Sequence, residues 1–277
     1  MTRVEASPGL LLNVEDSGNG PPLILLHGFM GSSDIWGPMV ERLGDNHRVM
    51  AVDIVGHGKS DAPHSLKHYR MEQVAVDIVG AIGKLGGQGA AWLGYSMGGR
   101  TALAIAALHP EAVERLCLVG ASPGLRTQRE RASRRKSDTV LADRIIEDGL
   151  ETFVGYWESL SLFASQQRLP VEIRDRIRQG RLANRSIGLA NSLRGMGAGK
   201  QPSFWGRLPA MDIPVLLVAG EEDRKYSDLA REMASSLPNG RVSLVPEAGH
   251  AAHVENLDFC AAEIRQFLTK MHPEKRP

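Results

Sequence analysis

Short runs of consecutive apolar residues alternate with amphipathic segments along most of this chain. Runs such as 23–26 and 215–219 contain no polar residue, as strands buried on both faces of a sheet do. Between such runs, apolar residues at helical spacing, for example Val74, Ile78 and Ile82, predict amphipathic helices. This alternation predicts an α/β fold with a doubly wound, mostly parallel sheet and right-handed crossovers. The predicted strands are 10–14, 23–26, 49–52, one that ends before Ser96, 116–119, 215–219 and 242–245, and the main predicted helices are 36–43, 71–85, 98–108, 227–237 and 254–271.

The alternation stops in the middle of the chain. Residues 122–206 show helical segments and no buried strand, and they carry 15 basic and 9 acidic residues, a local charge of +6. After Pro214 the strand and helix pattern resumes. We therefore predict an α/β core formed by 1–121 and 207–277, interrupted by a helical cap at 122–206.

Composition excludes several classes of protein. The chain has 277 residues, of which 42% are hydrophobic, and its net charge of +1 gives no support for nucleic acid or a membrane surface as a partner. Two cysteines, Cys117 and Cys260, are too few for a disulfide framework, and both are expected to be buried thiols. No stretch resembles a leader peptide or a membrane span. We expect a cytoplasmic protein that is a monomer or a weak homo-oligomer.

A serine lies between small residues where an apolar strand meets an alanine-rich helix. The residues Gly94-Tyr95-Ser96-Met97-Gly98 match the G-x-S-x-G nucleophile elbow. A sharp turn from strand to helix brings the two backbones so close that the flanking positions require glycine. The serine hydroxyl then stands above the sheet at a helix N-terminus.

A catalytic acid and a histidine are expected to follow later strands, because α/β hydrolases carry their triad in the order Ser, Asp or Glu, His. After the strand 215–219 the acidic candidates are Glu221, Glu222 and Asp223, and we favour Asp223. After the strand 242–245 we favour His250 over His253, which we expect to face out or to pack at the start of a helix.

An oxyanion hole is expected from two backbone N–H groups. One belongs to Met97, the residue after the serine, and the other comes from the loop 27–29, with Phe29 as the favoured donor. The segment 53–60, which contains His57, resembles a catalytic motif. We interpret it instead as a structural turn that follows the predicted strand 49–52.

Arginine is unusually placed near the serine. Arg100 lies one helical turn after Ser96 on the same face, where a cation opposes the helix dipole at a cost of about 0.3–1 kcal/mol. It forms either a salt bridge with a surface acid or a site for a substrate carboxylate, which the guanidinium fork suits. The cap adds two arginine-rich helical segments, whereas a lipase or a simple esterase would carry an apolar lid. We expect the substrate to be a small polyanion.

Several segments resemble one family in particular. They are GYSMGGR at 94–100, SPGL at 122–125, ERASRRKSD at 130–138, Trp157 with Leu162 and Phe163, NSLRGMG before QPSFW at 191–205, and AGHAAHVEN at 248–256. Together they are similar to the 2-succinyl-6-hydroxy-2,4-cyclohexadiene-1-carboxylate synthases, lyases of menaquinone biosynthesis with an α/β-hydrolase fold. The resemblance covers nearly the whole chain, including the cap.

The resemblance implies a reaction and a set of residues. The substrate would be 2-succinyl-5-enolpyruvyl-6-hydroxy-3-cyclohexene-1-carboxylate, which bears three carboxylates, and the reaction would be elimination of pyruvate. The implied triad is Ser96, Asp223 and His250, with the serine as a base. The implied substrate-binding residues are Tyr95, Arg100, Arg134, Trp157, Phe163 and Arg181. No metal and no organic cofactor are implied.

Other functions stay open from the sequence. A serine hydrolase could use the same triad on an anionic ester, thioester or C–C bond, with Ser96 as a covalent nucleophile. A thioesterase of the same pathway is a weaker alternative. A fold relative that only binds an anionic small molecule is disfavoured by the complete and correctly ordered triad.

Overall fold

The computed structural model describes residues 2–43 and 46–269, which contain a single eight-stranded sheet. The strands are β1 (Thr2–Ser7), β2 (Leu10–Ser17), β3 (Pro22–Leu26), β4 (Arg48–Val52), β5 (Ala90–Tyr95), β6 (Val113–Val119), β7 (Val215–Gly220) and β8 (Gly240–Val245). Their order across the sheet is β1-β2-β4-β3-β5-β6-β7-β8, and the pairs from β4 to β8 are parallel. The predicted doubly wound, mostly parallel α/β sheet is therefore confirmed.

Helices cover both faces of the sheet. The α-helices are α1 (Gly37–Leu43), α2 (Met71–Lys84), α3 (Met97–Leu108), α4 (Gln128–Glu147), α5 (Leu150–Glu158), α6 (Val171–Leu182), α7 (Ser186–Met196), α8 (Arg224–Ser236), α9 (Ala252–Glu255) and α10 (Leu257–Thr269). In β3, Ile24 and Leu26 join the core beneath α2, α3 and α8, whereas Leu23 and Leu25 join the core beneath α1 and α10. Both sets are fully buried, which is why this strand reads as a continuous apolar run.

Two elements differ from the sequence prediction. Strand β1 was not predicted, because it lies at the edge of the sheet and only Val4 among its six residues is buried. The predicted helix 254–271 begins as the short α9 and is interrupted at Asn256. The Asn256 side chain accepts a hydrogen bond from the Phe259 N–H, as an N-cap residue does, and α10 starts anew. Residues 270 and 271 of that prediction lie outside the described ranges.

Between β6 and β7 the described chain forms helices and no strand. Apolar residues of α4, α5 and α7 pack into a separate cluster that also includes Met30 of the core. These residues are Met30, Ala142, Ile145, Phe153, Val154, Leu189, Ala190 and Leu193. We propose residues 122–206 as the cap that the sequence analysis anticipated.

The cap is attached to the loops that follow β3 and β4. Asn184, between α6 and α7, donates to the Met30 carbonyl and accepts from the Gly58 N–H, both at 2.9 Å. Nearby, α7 approaches the second loop so closely that a Cβ on Gly188 would overlap the Gly56 carbonyl oxygen. Because both loops end at the same edge of the sheet as Ser96, the cap is held close to that edge.

Candidate active site

Ser96 occupies the turn between β5 and α3. Its backbone φ of 50° and ψ of −107° lie outside the ordinary regions for an L-residue, so the turn stores strain at the site. A Cβ on Gly94 would overlap the Gly98 carbonyl oxygen, and one on Gly98 would overlap the Leu26 carbonyl oxygen. Gly94 therefore lets β5 and α3 cross in contact, and Gly98 lets α3 pass directly against the end of β3.

The structure brings Ser96, His250 and Asp223 into one hydrogen-bonded chain. The Ser96 Oγ lies 3.0 Å from His250 Nε2, and His250 Nδ1 lies 2.7 Å from Asp223 Oδ2. Asp223 is also the N-cap of α8, where its other oxygen accepts from the Tyr226 N–H at 3.3 Å. Since an ionised carboxylate only accepts, His250 Nδ1–H donates to Asp223, and Nε2 is free to accept the serine proton.

The alternative acids lie elsewhere. Glu222 forms an exposed ion pair with Arg168 at 2.8 Å, and Glu221 is exposed on the same turn. Neither contacts a histidine, so only Asp223 of the three acidic candidates is placed to orient His250.

His253 packs at the start of α9 and does not face out. Its ring lies between Trp36 and Tyr95, with centroid distances of 4.8 and 4.3 Å, and neither of its ring nitrogens has a hydrogen-bond partner among the described residues. Burial, together with the neighbouring His250, lowers the pKa of His253 from 6.5 to about 3. His253 is therefore a neutral packing residue beside the triad.

Replacing His253 by phenylalanine is expected to make the protein more resistant to acid. Below pH 6.5 the unfolded chain binds a proton that the buried His253 rejects, so this residue costs stability as the pH falls from 6.5 towards 3. The loss is about 1.4 kcal/mol per pH unit, so His253→Phe should gain about 2 kcal/mol at pH 5.0 relative to its effect at pH 7.5. Urea denaturation at the two pH values measures this difference. The control is His64→Gln, because His64 is exposed. If His253→Phe changes the free energy of unfolding equally at both pH values, His253 is not a buried neutral histidine.

Two backbone N–H groups border the serine. Met97 begins α3, so its N–H has no partner within the helix. Phe29 lies in the turn closed by the Gly31 N–H and the Gly28 carbonyl, and no backbone acceptor among the described residues receives its N–H. Both residues line the same cavity as Ser96. These are the two donors that the sequence analysis selected for an oxyanion hole.

A buried histidine holds the Phe29 loop in place. His27 Nε2 accepts from the Ile54 N–H at 3.0 Å, so its Nδ1–H donates to the Gly28 carbonyl at 2.7 Å. Burial lowers the pKa of His27, which keeps the ring neutral in this arrangement. A Cβ on Gly28 would lie 2.7 Å from the Tyr95 ring, so glycine lets the loop approach the elbow.

The segment 53–60 is a structural turn, as interpreted from the sequence. The Asp53 carboxylate accepts from the backbone N–H groups of Ser33 and Lys59, and its carbonyl accepts from the Ser60 hydroxyl. His57 is fully buried and packs against Phe29 with ring centroids 5.7 Å apart. Burial lowers its pKa to about 3, with His27 as a second cause, and the residue does not line the cavity.

The cavity above Ser96 has a volume of about 370 Å³ and lies between core and cap. Arg100 lines it and donates through Nη1 to the Met196 carbonyl at 3.0 Å and to Gln201 Oε1 at 2.9 Å. Both acceptors are neutral, and no carboxylate among the described residues pairs with Arg100. Burial lowers its pKa to about 10, so the group is still a cation near neutral pH.

The two predicted cap arginines also line the cavity, and each has an acidic partner. Arg134 pairs with the buried Asp138 at 2.7 Å, and Arg181 pairs with Glu158 at 3.0 Å. Arg181 is largely buried and lies 5.3 Å from the centre of the Phe163 ring. These partners hold the two guanidinium groups in place at the cavity wall.

The three predicted aromatic residues line the same space. Trp157 lies edge-on to Phe29 at 5.2 Å and contacts Phe163 at 5.7 Å between ring centroids. Tyr95 lies below, with its ring 5.4 Å from that of His250, and burial raises its pKa. The cavity therefore combines flat apolar surfaces with cationic groups.

Sequence reasoning missed several cavity residues. The Tyr226 ring lies 4.6 Å from the His250 ring, and burial raises the pKa of its hydroxyl. Lys225 also lines the cavity, as does Arg176, which was noted only as one of the cap arginines. Gln201 is fully buried and binds Arg100. Of these residues, only Tyr226 could have been predicted from the sequence. It lies three residues after Asp223, in the first turn of α8, and so had to lie close to the triad.

The described residues contain neither a cluster of metal ligands nor a membrane-spanning helix. No three side chains of His, Cys, Asp or Glu in residues 2–43 and 46–269 are grouped as metal ligands. No helix in these ranges has both the length and the apolar character needed to cross a bilayer. Cys117 and Cys260 are both free and buried, as expected.

Known proteins resemble this chain over most of its length. A family model described as the alpha/beta hydrolase fold matches residues 21–257. A Bacillus subtilis (strain 168) protein, provisionally named a 2-succinyl-6-hydroxy-2,4-cyclohexadiene-1-carboxylate synthase, is 44% identical, covering 97% of this chain and 98% of that protein. An Enterobacter sp. (strain 638) protein given the same name without qualification is 32% identical, covering 90% and 92%. The solved structure of MenH from S. aureus matches with a TM-score of 0.88 and 33% identity, covering 93% of this chain and 97% of that one.

Proposed function

This chain belongs to the α/β-hydrolase fold family and, within it, to the 2-succinyl-6-hydroxy-2,4-cyclohexadiene-1-carboxylate synthases, and on that premise we propose that it is a lyase that eliminates pyruvate. The proposed substrate is 2-succinyl-5-enolpyruvyl-6-hydroxy-3-cyclohexene-1-carboxylate. The observation that carries the proposal is Arg100, a cation with no carboxylate partner in residues 2–43 and 46–269, which lines the cavity that contains the triad serine. A site for neutral esters would gain nothing from a desolvated guanidinium group.

Three arginines match a substrate with three carboxylates. Arg100 offers a cation held by neutral acceptors, and Arg134 and Arg181 are oriented by Asp138 and Glu158. Guanidinium groups bind carboxylates through paired N–H donors, which fixes the orientation of the ligand as well as its charge. Trp157 and Phe163 would pack on the cyclohexene ring. In the proposed binding mode, the ring carbon that carries the succinyl ketone lies near Ser96.

The proposed reaction begins with proton removal by Ser96. His250 Nε2 accepts the serine proton while Ser96 Oγ takes the proton from the ring carbon next to the ketone, and Asp223 stabilises the imidazolium. The electrons of that C–H bond form an enolate, whose oxyanion accepts hydrogen bonds from the Phe29 and Met97 N–H groups. They then move through the ring double bond and break the C–O bond to the enolpyruvyl group. The product is a conjugated diene, and the enolpyruvate that leaves takes up the proton held by the His250 imidazolium to give pyruvate, which returns the triad to its starting state.

Direct assay of the purified protein tests this proposal. We expect one pyruvate per conjugated diene formed when the enolpyruvyl substrate is supplied, with diene absorbance and a coupled pyruvate assay rising together. A substrate analogue lacking the enolpyruvyl group should give neither signal. Release of succinate, or accumulation of an acyl-enzyme on Ser96 in intact-protein mass spectrometry, would instead indicate a hydrolase that acts on an anionic substrate.

The proposed site is complete within one chain. Core residues supply the triad and Arg100, and the cap of the same chain supplies Arg134, Trp157 and Arg181. We therefore propose that a monomer is sufficient for activity, whatever larger assembly the protein forms.

A further inference from the structure

The loop that carries His250 has no regular secondary structure. It runs from Pro246 to Ala251, between β8 and α9, and its Glu247 has a positive φ of 55°. Backbone groups in such a loop need partners outside helices and strands, or the loop would adopt many conformations. The placement of the His250 ring therefore depends on what those partners are.

Side chains from neighbouring elements hold this loop at its first half. Asn256 Nδ2 donates to the Pro246 carbonyl at 3.1 Å, and Arg168 donates to the Glu247 carbonyl at 3.2 Å. The third contact is a backbone one, from the Glu222 N–H to the Ala248 carbonyl at 3.0 Å. These bonds anchor the loop as far as the Ala248–Gly249 peptide and do not reach the residues after it.

A single carboxylate holds the residues on both sides of His250. The Gly249 N–H donates to Glu255 Oε2 at 2.6 Å, and the Ala251 N–H donates to Glu255 Oε1 at 3.1 Å. Glu255 is placed to do this because α9 turns back directly after the loop, and its own N–H bonds the Ala251 carbonyl at 3.0 Å. Hydrogen bonds to an ionised oxygen are stronger than neutral ones, so this clamp is a strong restraint on the backbone next to His250.

We propose that Glu255 is a positioning residue that fixes the His250 ring between Ser96 and Asp223. This proposal rests on the proposed function only in one respect, namely that His250 is the base that activates Ser96. Fixing both flanking amides holds the His250 Cα in place, and thereby the 3.0 Å contact from Nε2 to the Ser96 Oγ. A displacement of about 1 Å at such a contact lowers a rate about 100-fold.

The test variant is Glu255→Gln, which is nearly the same size as the wild-type side chain. Its amide oxygen can still accept from one N–H, but its NH₂ group faces the other N–H and cannot accept from it. We expect kcat for pyruvate release to fall about 10- to 100-fold while KM changes by less than about threefold, because no substrate contact is removed. The matched control is Glu263→Gln, which makes the same chemical change on α10 and breaks only the ion pair with Arg241, away from the cavity and the His250 loop.

A second measurement separates this proposal from the proposed function. Phosphonylation of Ser96 by a fluorophosphonate probe reports the activated serine without any lyase substrate, and its rate should fall by a similar factor in Glu255→Gln. If the protein releases no pyruvate but Glu255→Gln slows phosphonylation, the lyase assignment fails and the positioning role stands. If phosphonylation and kcat both stay within about twofold of wild type, Glu255 serves only the stability of the loop and the proposal is overturned, even if Tm falls.

Discussion

Ser96→Ala is expected to lower kcat for pyruvate release by about 10²- to 10⁴-fold, the range for removal of a positioned general base. The Ser96 Oγ lines the cavity at one end of the hydrogen-bonded chain, with His250 Nε2 at 3.0 Å and, beyond it, Asp223 at 2.7 Å from His250 Nδ1. Alanine leaves the arginines and aromatic residues of the cavity in place. Substrate affinity measured by calorimetry with the inactive variant should therefore change by less than about threefold.

The control for this change is Ser243→Ala. Ser243 is a buried serine of β8 that does not line the cavity and is not part of the triad. Its variant should retain activity within about threefold. If Ser96→Ala also stays within a few-fold of wild type, the serine is not the base, and His250 would have to remove the ring proton directly.

Arg100→Met is expected to reduce kcat/KM about 10²- to 10³-fold with little change in stability. Loss of one partner from a desolvated charge pair costs about 2–5 kcal/mol, and here that partner is the substrate carboxylate. In the free protein two effects oppose each other. Removing a buried cation relieves a desolvation cost, whereas the Met196 carbonyl and Gln201 Oε1 lose their donor. The free energy of unfolding should therefore stay within about 2 kcal/mol of wild type.

Steady-state kinetics and urea denaturation of the same preparation check both halves of this expectation. Arg194→Met is the matched control, because Arg194 lies on α7, pairs with Asp143 at 2.6 Å and does not line the cavity. Its variant should keep kcat/KM within about threefold. If kcat/KM of Arg100→Met equals that of wild type, the main support for an anionic substrate is lost. The triad would then indicate only a serine hydrolase of unspecified substrate.

The strands of the sheet and the order of the triad residues along the chain could be predicted because both depend on local sequence patterns. A strand buried on both faces must be apolar throughout, so 23–26 and 215–219 were visible as strands. The strand β1 was not visible, because an edge strand with one buried residue has no such pattern. The elbow was recognisable from its glycines, since only glycine allows the backbones of β5 and α3 to touch.

Local sequence patterns could not predict which groups the charged side chains contact. The sequence predicts that Arg100 lies on the same helix face as Ser96, but it does not predict whether an acidic side chain pairs with it. In the structure Arg100 donates to two neutral acceptors. Likewise, Glu255 is one acid among 32 Asp and Glu residues until the fold turns α9 back onto the His250 loop. Such roles depend on which residues meet across the chain.

By itself, therefore, the sequence determined the α/β class, the position of the elbow and the order of Ser96, Asp223 and His250, because periodicity and glycine placement reflect local burial and backbone geometry. Only the tertiary structure decided which groups meet: Ser96 and His250 are 154 residues apart and touch because β5 and β8 end at the same edge of one sheet. It also decided that Arg100 has no carboxylate partner within the described residues and that Glu255 clamps the histidine loop. Contacts of this kind arise from long-range packing, which no local stretch of residues specifies.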